Sequence, residues 1–261
     1  MRLLITNDDG IYSPGIRALA EVAAGFGDIR IVAPDVEQSS MGHAVTATRP
    51  LNYRETPLDK FTAYRVNGTP ADCVALGCHQ WGEDVDVVLS GINLGPNLGN
   101  AIWHSGTLAA ARQASLLGVQ GIALSAPVDR TDPNFEHIKP YAREVLELLL
   151  EEEGAPSELV NVNFPAREPR GLRWTRQSVR HYHGEVARDE DPMGREHFWF
   201  AVTPLEAPRE DTDRWAVEEE HLVSLTPLRL DLTDETAVKQ RKASGSEAPV
   251  EQSAVEQSAA P

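Results

Sequence analysis

Arg2-Leu3-Leu4-Ile5-Thr6-Asn7-Asp8-Asp9-Gly10 runs from a short apolar segment straight into two adjacent carboxylates and a turn residue. The apolar segment reads as a buried strand, and Pro14 to Phe26 reads as the helix that follows it. That places the acid pair at the carboxyl end of a strand, the rim where open α/β sheets gather their ligands. Carboxylates this close repel unless a proton or a cation compensates them. A hard dication such as Mg²⁺ or Mn²⁺ is the usual compensation, because it prefers oxygen ligands. The plainer alternative is an Asp-Gly turn carrying a spare acid.

Outward from this stretch the alternation repeats through about residue 165. Residues 29–33, 64–66, 86–90, 121–125 and 159–164 are expected strands, with helices near 105–117 and 135–153. Another helix is expected to open at Thr69, with Pro70 at its first position and Asp72 closing a capping box. Short apolar strands separated by helices predict an α/β fold with a doubly wound, mostly parallel sheet in a Rossmann-like, three-layer arrangement.

After about residue 166 the pattern changes. Residues 172–182, 197–202 and 222–232 look like strands or hairpin arms, with no long amphipathic helix between them. They predict a C-terminal β-rich extension that flanks the sheet and serves oligomer contacts. The expected organisation is a single domain over 1–242, with its core at about 1–165 and the extension at 166–242. From Ala243 onward the chain is Ser, Ala, Glu, Gln and Pro, and Val-Glu-Gln-Ser-Ala begins at both Val250 and Val255. A stretch without aromatic anchors, 243–261, is expected to be disordered.

A formal charge of −16 over 261 residues argues against a nucleic-acid polymer as partner, since such partners select a basic face. It does not exclude a small anion, because screening confines exposed charge to roughly 8–10 Å. Cys73 and Cys78 match neither a disulfide framework nor a zinc pattern, and are expected as buried thiols in a reducing compartment. No uncharged apolar run approaches the ~20 residues that span a bilayer, and no signal core opens the chain. The expectation is a cytoplasmic chain without membrane association.

Three further segments share the rim position of the acid pair. Ala33-Pro34-Asp35 leads into a long polar loop through Gln38, Ser39 and His43. Ser90 to Asn100 interleaves Gly91, Gly95 and Gly99 with Asn93, Asn97 and Asn100. Glycines let backbone amides converge, while asparagine offers a neutral oxygen to a metal and an amide donor to a phosphoryl oxygen. It is neither a P-loop nor a dinucleotide fingerprint. His104-Ser105-Gly106-Thr107 opens an alanine-rich helix, where an N-cap and a phosphate cradle are compatible readings. His43 and His104 are candidates for proton transfer, and His181 and His183 flank Tyr182 where they could line a substrate base or ribose.

Together these segments resemble the SurE family of 5′/3′-nucleotidases, the stationary-phase survival proteins. The resemblance rests on Thr6 to Gly10 with Pro14-Gly15, Ala33-Pro34-Asp35 with Gln38-Ser39, and Gly68 to Cys73. It continues through Ser90-Gly91-Ile92-Asn93 and Ser105-Gly106-Thr107, and covers about residues 1 to 235. It implies a divalent metal held by Asp8, Asp9, Ser39 and Asn93. It also implies hydrolysis of nucleoside monophosphates, some polyphosphate cleavage, and a homodimer or homotetramer assembled partly through an exchanged carboxyl-terminal segment.

The expected chemistry is metal-assisted phosphomonoester hydrolysis with one Mg²⁺ or Mn²⁺ per subunit. Asp8 or Asp9 would orient the attacking water or relay a proton, and Asn97, Ser105, Gly106 and Thr107 would position the phosphate. One rival is a phosphatase with an aspartyl-phosphate intermediate, which usually presents aspartates two apart rather than adjacent. Another is a Mg²⁺-binding receiver-type signalling module. That module needs an acceptor aspartate after its third strand, where this chain has Ser90-Gly91-Ile92-Asn93.

Overall fold

The computed structural model describes residues 1–80, 84–129, 131, 133–151, 158–179, 182–204 and 207–244. It contains two compact units, Met1–Leu228 and Arg229–Pro261. The first unit is built on a nine-stranded sheet. Its strands are β1 (Arg2–Thr6), β2 (Asp28–Pro34), β3 (Tyr53–Glu55), β4 (Thr62–Val66), β5 (Val87–Leu94), β6 (Gln120–Ala126), β7 (Leu159–Asn163), β8 (Leu172–Trp174) and β11 (Val223–Pro227). They lie in the order β3-β4-β2-β1-β5-β6-β7-β11-β8. Within this sheet, among the described residues, only β3 on β4 and β11 on β7 pair antiparallel. The separate hairpin of β9 (Tyr182–Glu190) and β10 (Glu196–Pro204) completes the strands.

The central strands are apolar on both faces because helices cover both. Leu3, Ile5, Ile31, Leu89 and Val160 face α1 (Pro14–Ala23) and α4 (Lys139–Glu151), in a core that includes Ile16, Leu19, Leu146 and Leu149. Leu4, Val32 and Val88 face α2 (Pro70–His79) and α3 (Gly106–Leu116) through Cys73, Val74, Ala110 and Ala114. The result is the expected three-layer, Rossmann-like α/β architecture. Each buried Leu, Ile or Val contributes about 1.5–3 kcal/mol, so this two-sided burial is what holds the layers.

Strand order explains where a ligand can bind. From β1 the chain passes to β2 on one side, while β5 pairs with the other side of β1. Helices leaving such a switch point diverge to opposite faces and open a crevice at the carboxyl ends of the strands. Asp8 and Asp9 follow β1 directly, and Asn93 sits near the end of β5.

Local signals set several boundaries. At α2, Thr69 Oγ1 accepts from Asp72 N at 3.1 Å and Asp72 Oδ2 accepts from Thr69 N at 2.9 Å, the expected capping box. Ser105 caps α3 by accepting from Leu108 N at 3.1 Å.

Elsewhere the strands are shorter than the sequence implied. The arm expected over residues 172–182 stops at Trp174 in β8. Past that point Arg176 bonds with Asp211 and Asp213, which draws the chain out of the sheet. Three-residue β3 has little pattern to read, since all three of its residues are exposed. In the second unit, α5 (Glu235–Ala243) buries none of its residues. Its caps sustain it: Asp234 accepts from Ala237 N, Glu235 opens it, and Arg241 with Lys242 closes it. The low-complexity stretch from residue 245 lies outside the described residues.

Burial opposes ionisation of Asp72, yet hydrogen bonds from Thr46 and Thr69 outweigh it and hold the carboxyl below its ordinary range. A depressed folded-state pKa stabilises above the unfolded-state value, and that stability is lost as pH falls through the folded value. Asp72→Ala is therefore expected to cost about 1–2 kcal/mol at pH 7 in urea denaturation. The difference from the native chain should shrink as pH falls below about 4.

Candidate active site

Asp8 is buried, and its Oδ1 accepts a 2.6 Å hydrogen bond from the Thr107 hydroxyl at the start of α3. Burial pushes the Asp8 carboxyl above its ordinary pKa, opposed by the Thr107 hydroxyl and by the amides of Asp8, Thr107 and Gly106. Magnitudes explain the sign. One hydrogen bond to a charged group contributes about 1.5–3 kcal/mol, whereas burying an ion costs several kcal/mol. The ionised carboxylate is thus only partly compensated by the protein, which is the condition a bound cation would relieve.

Gly106 makes the approach possible. A Cβ there would stand 2.7 Å from the Asp8 Cβ and 2.9 Å from Oδ2, inside any real contact distance. The other face of the turn is tied by Asn7, whose Nδ2 donates to the Gly10 carbonyl and the Ser13 hydroxyl at 3.1 Å each. Half-buried Asp9 accepts from Leu94 N at 3.1 Å, linking the β1 rim to β5 beside Asn93. Asn93 donates Nδ2 to the Gly95 carbonyl at 2.8 Å, so Oδ1 is its remaining group for a cation. The β5–β6 register shifts between Ser90 and Asn93, where Gly91 takes φ +137°, a conformation that suits glycine.

The β2 loop reaches the same turn through Gln38 N, which donates to the Asp8 carbonyl at 2.7 Å. Ser39 itself is exposed and donates its hydroxyl to Glu37 Oε1 at 2.6 Å. Asn97 is buried, with Nδ2 2.9 Å from Ser125 Oγ and 3.5 Å from Thr107 Oγ1. Among the described residues, no group of three or more His, Cys, Asp or Glu could hold a metal. A cation here would depend on two carboxylates plus neutral Asn and Ser oxygens. That donor set fits a hard dication better than a soft one.

The family model for Survival protein SurE matches residues 3–184. The chain belongs to the SurE family. It is 45% identical over 236 residues to the 5′-nucleotidase SurE 1 of Thermus thermophilus, covering 89% of this chain and 93% of that one. It is 43% identical to the 5′-nucleotidase SurE of Deinococcus radiodurans, covering 89% and 88%. The crystal structure of the SurE protein from Aquifex aeolicus superposes with a TM-score of 0.79 at 40% identity, covering 94% of this chain and all of that one. Those named nucleotidases are phosphoric monoester hydrolases.

Sequence reading missed the residues that hold the SurE glycine-asparagine loop in place. Asn163 on β7 accepts from Asn97 N at 2.7 Å, while Asn161 and Asn163 donate to the Asn97 carbonyl at 2.8 and 3.2 Å. Buried Asp213 accepts from Gly99 N at 2.7 Å and from Ser178 N at 2.9 Å. A signal for the first pair was present: Leu159-Val160-Asn161-Val162-Asn163 places two amides on one face of an otherwise apolar strand. Asp213 had none, lying 114 residues from Gly99 and 35 from Ser178.

The histidines fall elsewhere. His43 Nε2 is 2.9 Å from Gln113 Oε1 on α3, and His104 is exposed. His181 and the side chains of Tyr182 and His183 lie outside the described residues. Cys73 is buried, Cys78 is half-buried, and both are free. Burial pushes the Cys73 thiol well up and the Cys78 thiol to about 11, so neither is a nucleophile near neutral pH.

Asn163→Ala strands the buried Asn97 amide and is expected to cost about 1–3 kcal/mol in urea denaturation. Gly106→Ala should lower Tm by several degrees, because Asp8 or α3 must shift to admit the methyl group; an unchanged Tm would show that the contact is soft.

Proposed function

We propose that this chain is a divalent-metal-dependent phosphomonoesterase that hydrolyses nucleoside 5′- and 3′-monophosphates to nucleoside and phosphate, with polyphosphate as a side substrate. The observation that carries the reading is the 2.6 Å contact between Asp8 and the Thr107 hydroxyl. It sets the first turn of α3, whose N-terminus favours anions, directly against the acid pair. The nucleotidase names of the relatives supply the substrate class.

In this reading Asp8, Asp9, Ser39 and Asn93 hold one Mg²⁺ or Mn²⁺ per subunit. When bound, the dication supplies charge neutralisation at the phosphoryl oxygens and acidifies water at neutral pH. Ser39 would turn its hydroxyl from Glu37 toward the cation. Asn97, Ser105, Gly106 and Thr107 position the phosphate, the Ser105 O–H acting as a donor while its oxygen keeps the helix cap. Asp8 or Asp9 takes the proton of the attacking water. Thr107, by donating to Asp8, holds the carboxylate in register with the phosphate. The substrate's negative charge and the acid pair are reconciled only through the cation, so chelation should silence the site.

Asp8→Asn and Asp9→Asn are each expected to lower AMP hydrolysis by at least about a hundredfold, or about 2.7 kcal/mol of barrier. EDTA should abolish the native activity, and added Mn²⁺ or Mg²⁺ should restore it. Full phosphate release by either variant would overturn the assignment.

We also propose a homodimer or homotetramer in the cytoplasm. Support for assembly comes from the β9–β10 hairpin, which exposes Phe198 at 61%, Trp199 at 64% and Phe200 at 73%. Phe200 opposes Val186, itself 63% exposed, so an apolar strip runs along one face. Water contact with that much aromatic surface is costly, and a second copy would remove it. No helix among the described residues is long and apolar enough to cross a membrane. Light scattering should give the mass of a dimer or tetramer, and Phe198→Ser with Phe200→Ser should lower it.

A further inference from the structure

A cavity of about 640 Å³ opens at the β3–β4 edge of the sheet, lined by Asp35, Asn52, Tyr53, Arg54, Arg65 and Asn67. Asp35 follows β2 and Asn67 follows β4, so the cavity lies on the same rim as the acid pair. None of the residues assigned above to metal or phosphate lines it.

Its charge pattern is unusual for this chain. Arg54 and Arg65 are register partners across antiparallel β3 and β4, so both leave the same face of the sheet directly opposite each other. Like charges so placed destabilise a strand pair. Among the described residues neither guanidinium has an ion-pair partner. Outside the lining, Arg49 donates Nη2 to the Asn67 carbonyl at 2.6 Å. Asn67 accepts at Oδ1 from Asn52 N at 2.7 Å, which leaves its side-chain NH₂ as a donor. Tyr53 stands edge-on to Tyr64 with ring centroids 5.7 Å apart, giving the cavity a fixed aromatic wall. Asp35 is the one carboxylate in the lining. Two guanidiniums and an amide against that single acid leave a net positive, donor-rich recess in a protein of charge −16.

We propose that this cavity binds a phosphate-bearing anion, with Arg54 and Arg65 gripping its oxygens from opposite strands. Guanidiniums match phosphate oxygens in charge and in fork geometry, and an anion between them converts a repulsive pair into a bridged one. The anion has two sources with the same chemistry: a second phosphoryl group on a molecule already held at Asp8 and Asp9, or a separate phosphorylated molecule. The site stands without the nucleotidase reading, because it is defined by its own residues.

The test is isothermal titration of the full chain with inorganic pyrophosphate in EDTA, which takes metal-dependent binding out of the measurement. The native chain is expected to show a pyrophosphate site whose affinity falls about tenfold in Arg54→Gln/Arg65→Gln. The variant removes a like-charge pair between the edge strand β3 and its neighbour β4, so its Tm without ligand should not fall, and circular dichroism checks its folding. Equal affinity in native and variant chains, or no binding by the native chain, overturns the proposal. Kinetics with Mn²⁺ then separate the sources. A KM raised for adenosine 3′,5′-bisphosphate but not for AMP assigns the cavity to the substrate's second phosphoryl group. An unchanged KM for both, with pyrophosphate affinity still lost, assigns it to a separate molecule. Failure to hydrolyse AMP at all would count against the proposed enzyme and leave the titration standing.

Discussion

A carboxylate buried at the end of β1 must find donors within a few ångströms, and Asp8 finds them at the first turn of α3. That requirement organises the centre of the molecule. Residues 8 and 107 are 99 positions apart, and their meeting ties the end of β1 to the start of α3. The contact also explains the small residue at position 106, since any side chain there would occupy the Asp8 carboxylate. Donors at the helix start reduce the cost of the buried charge without cancelling it, and burial holds the Asp8 carboxyl above its ordinary range.

Support for this contact comes from strands that never touch the acid pair. The β7 asparagines bind the backbone of Asn97, and the Asn97 side chain reaches Ser125 and the edge of Thr107. Asp213 and Gln177, from beyond β8, hold the Gly99 backbone from the other side. The glycine-rich loop is therefore a flexible sequence in a rigid setting. Its glycines allow amides to converge, and its rigidity is supplied by buried polar groups two strands away. This gives the region after residue 166 a structural tie to the rim, separate from the exposed hairpin that it also carries.

Total charge and local charge behave differently here. A net of −16 suggests a surface that rejects phosphate, yet the rim gathers helix amides, asparagines and, at the β3–β4 edge, the facing arginines Arg54 and Arg65. Because screening is short-ranged, these clusters act on a ligand within their own few ångströms, whatever the sign of the total charge.

How much of this was legible in the chain depends on the range of the interaction involved. The strand-to-acid stretch at residues 2–9, the capping box at Thr69 and Asp72, and the alternation to residue 164 are local patterns. They were sufficient for the layered α/β fold and for placing the loops after β1, β2 and β5 at the carboxyl ends of their strands. Spacing could not say that the Thr107 hydroxyl belongs to Asp8, that Ser39 turns toward Glu37, or that Asp213 ties down Gly99. Nor could it show that Arg54 and Arg65 stand side by side, because β3 is too short to announce itself. Propensity and periodicity are set by neighbours along the chain, so sequence alone determined the elements and their order. Burial, register and the pairing of buried polar groups depend on residues far apart in the chain, and only the tertiary structure decided them.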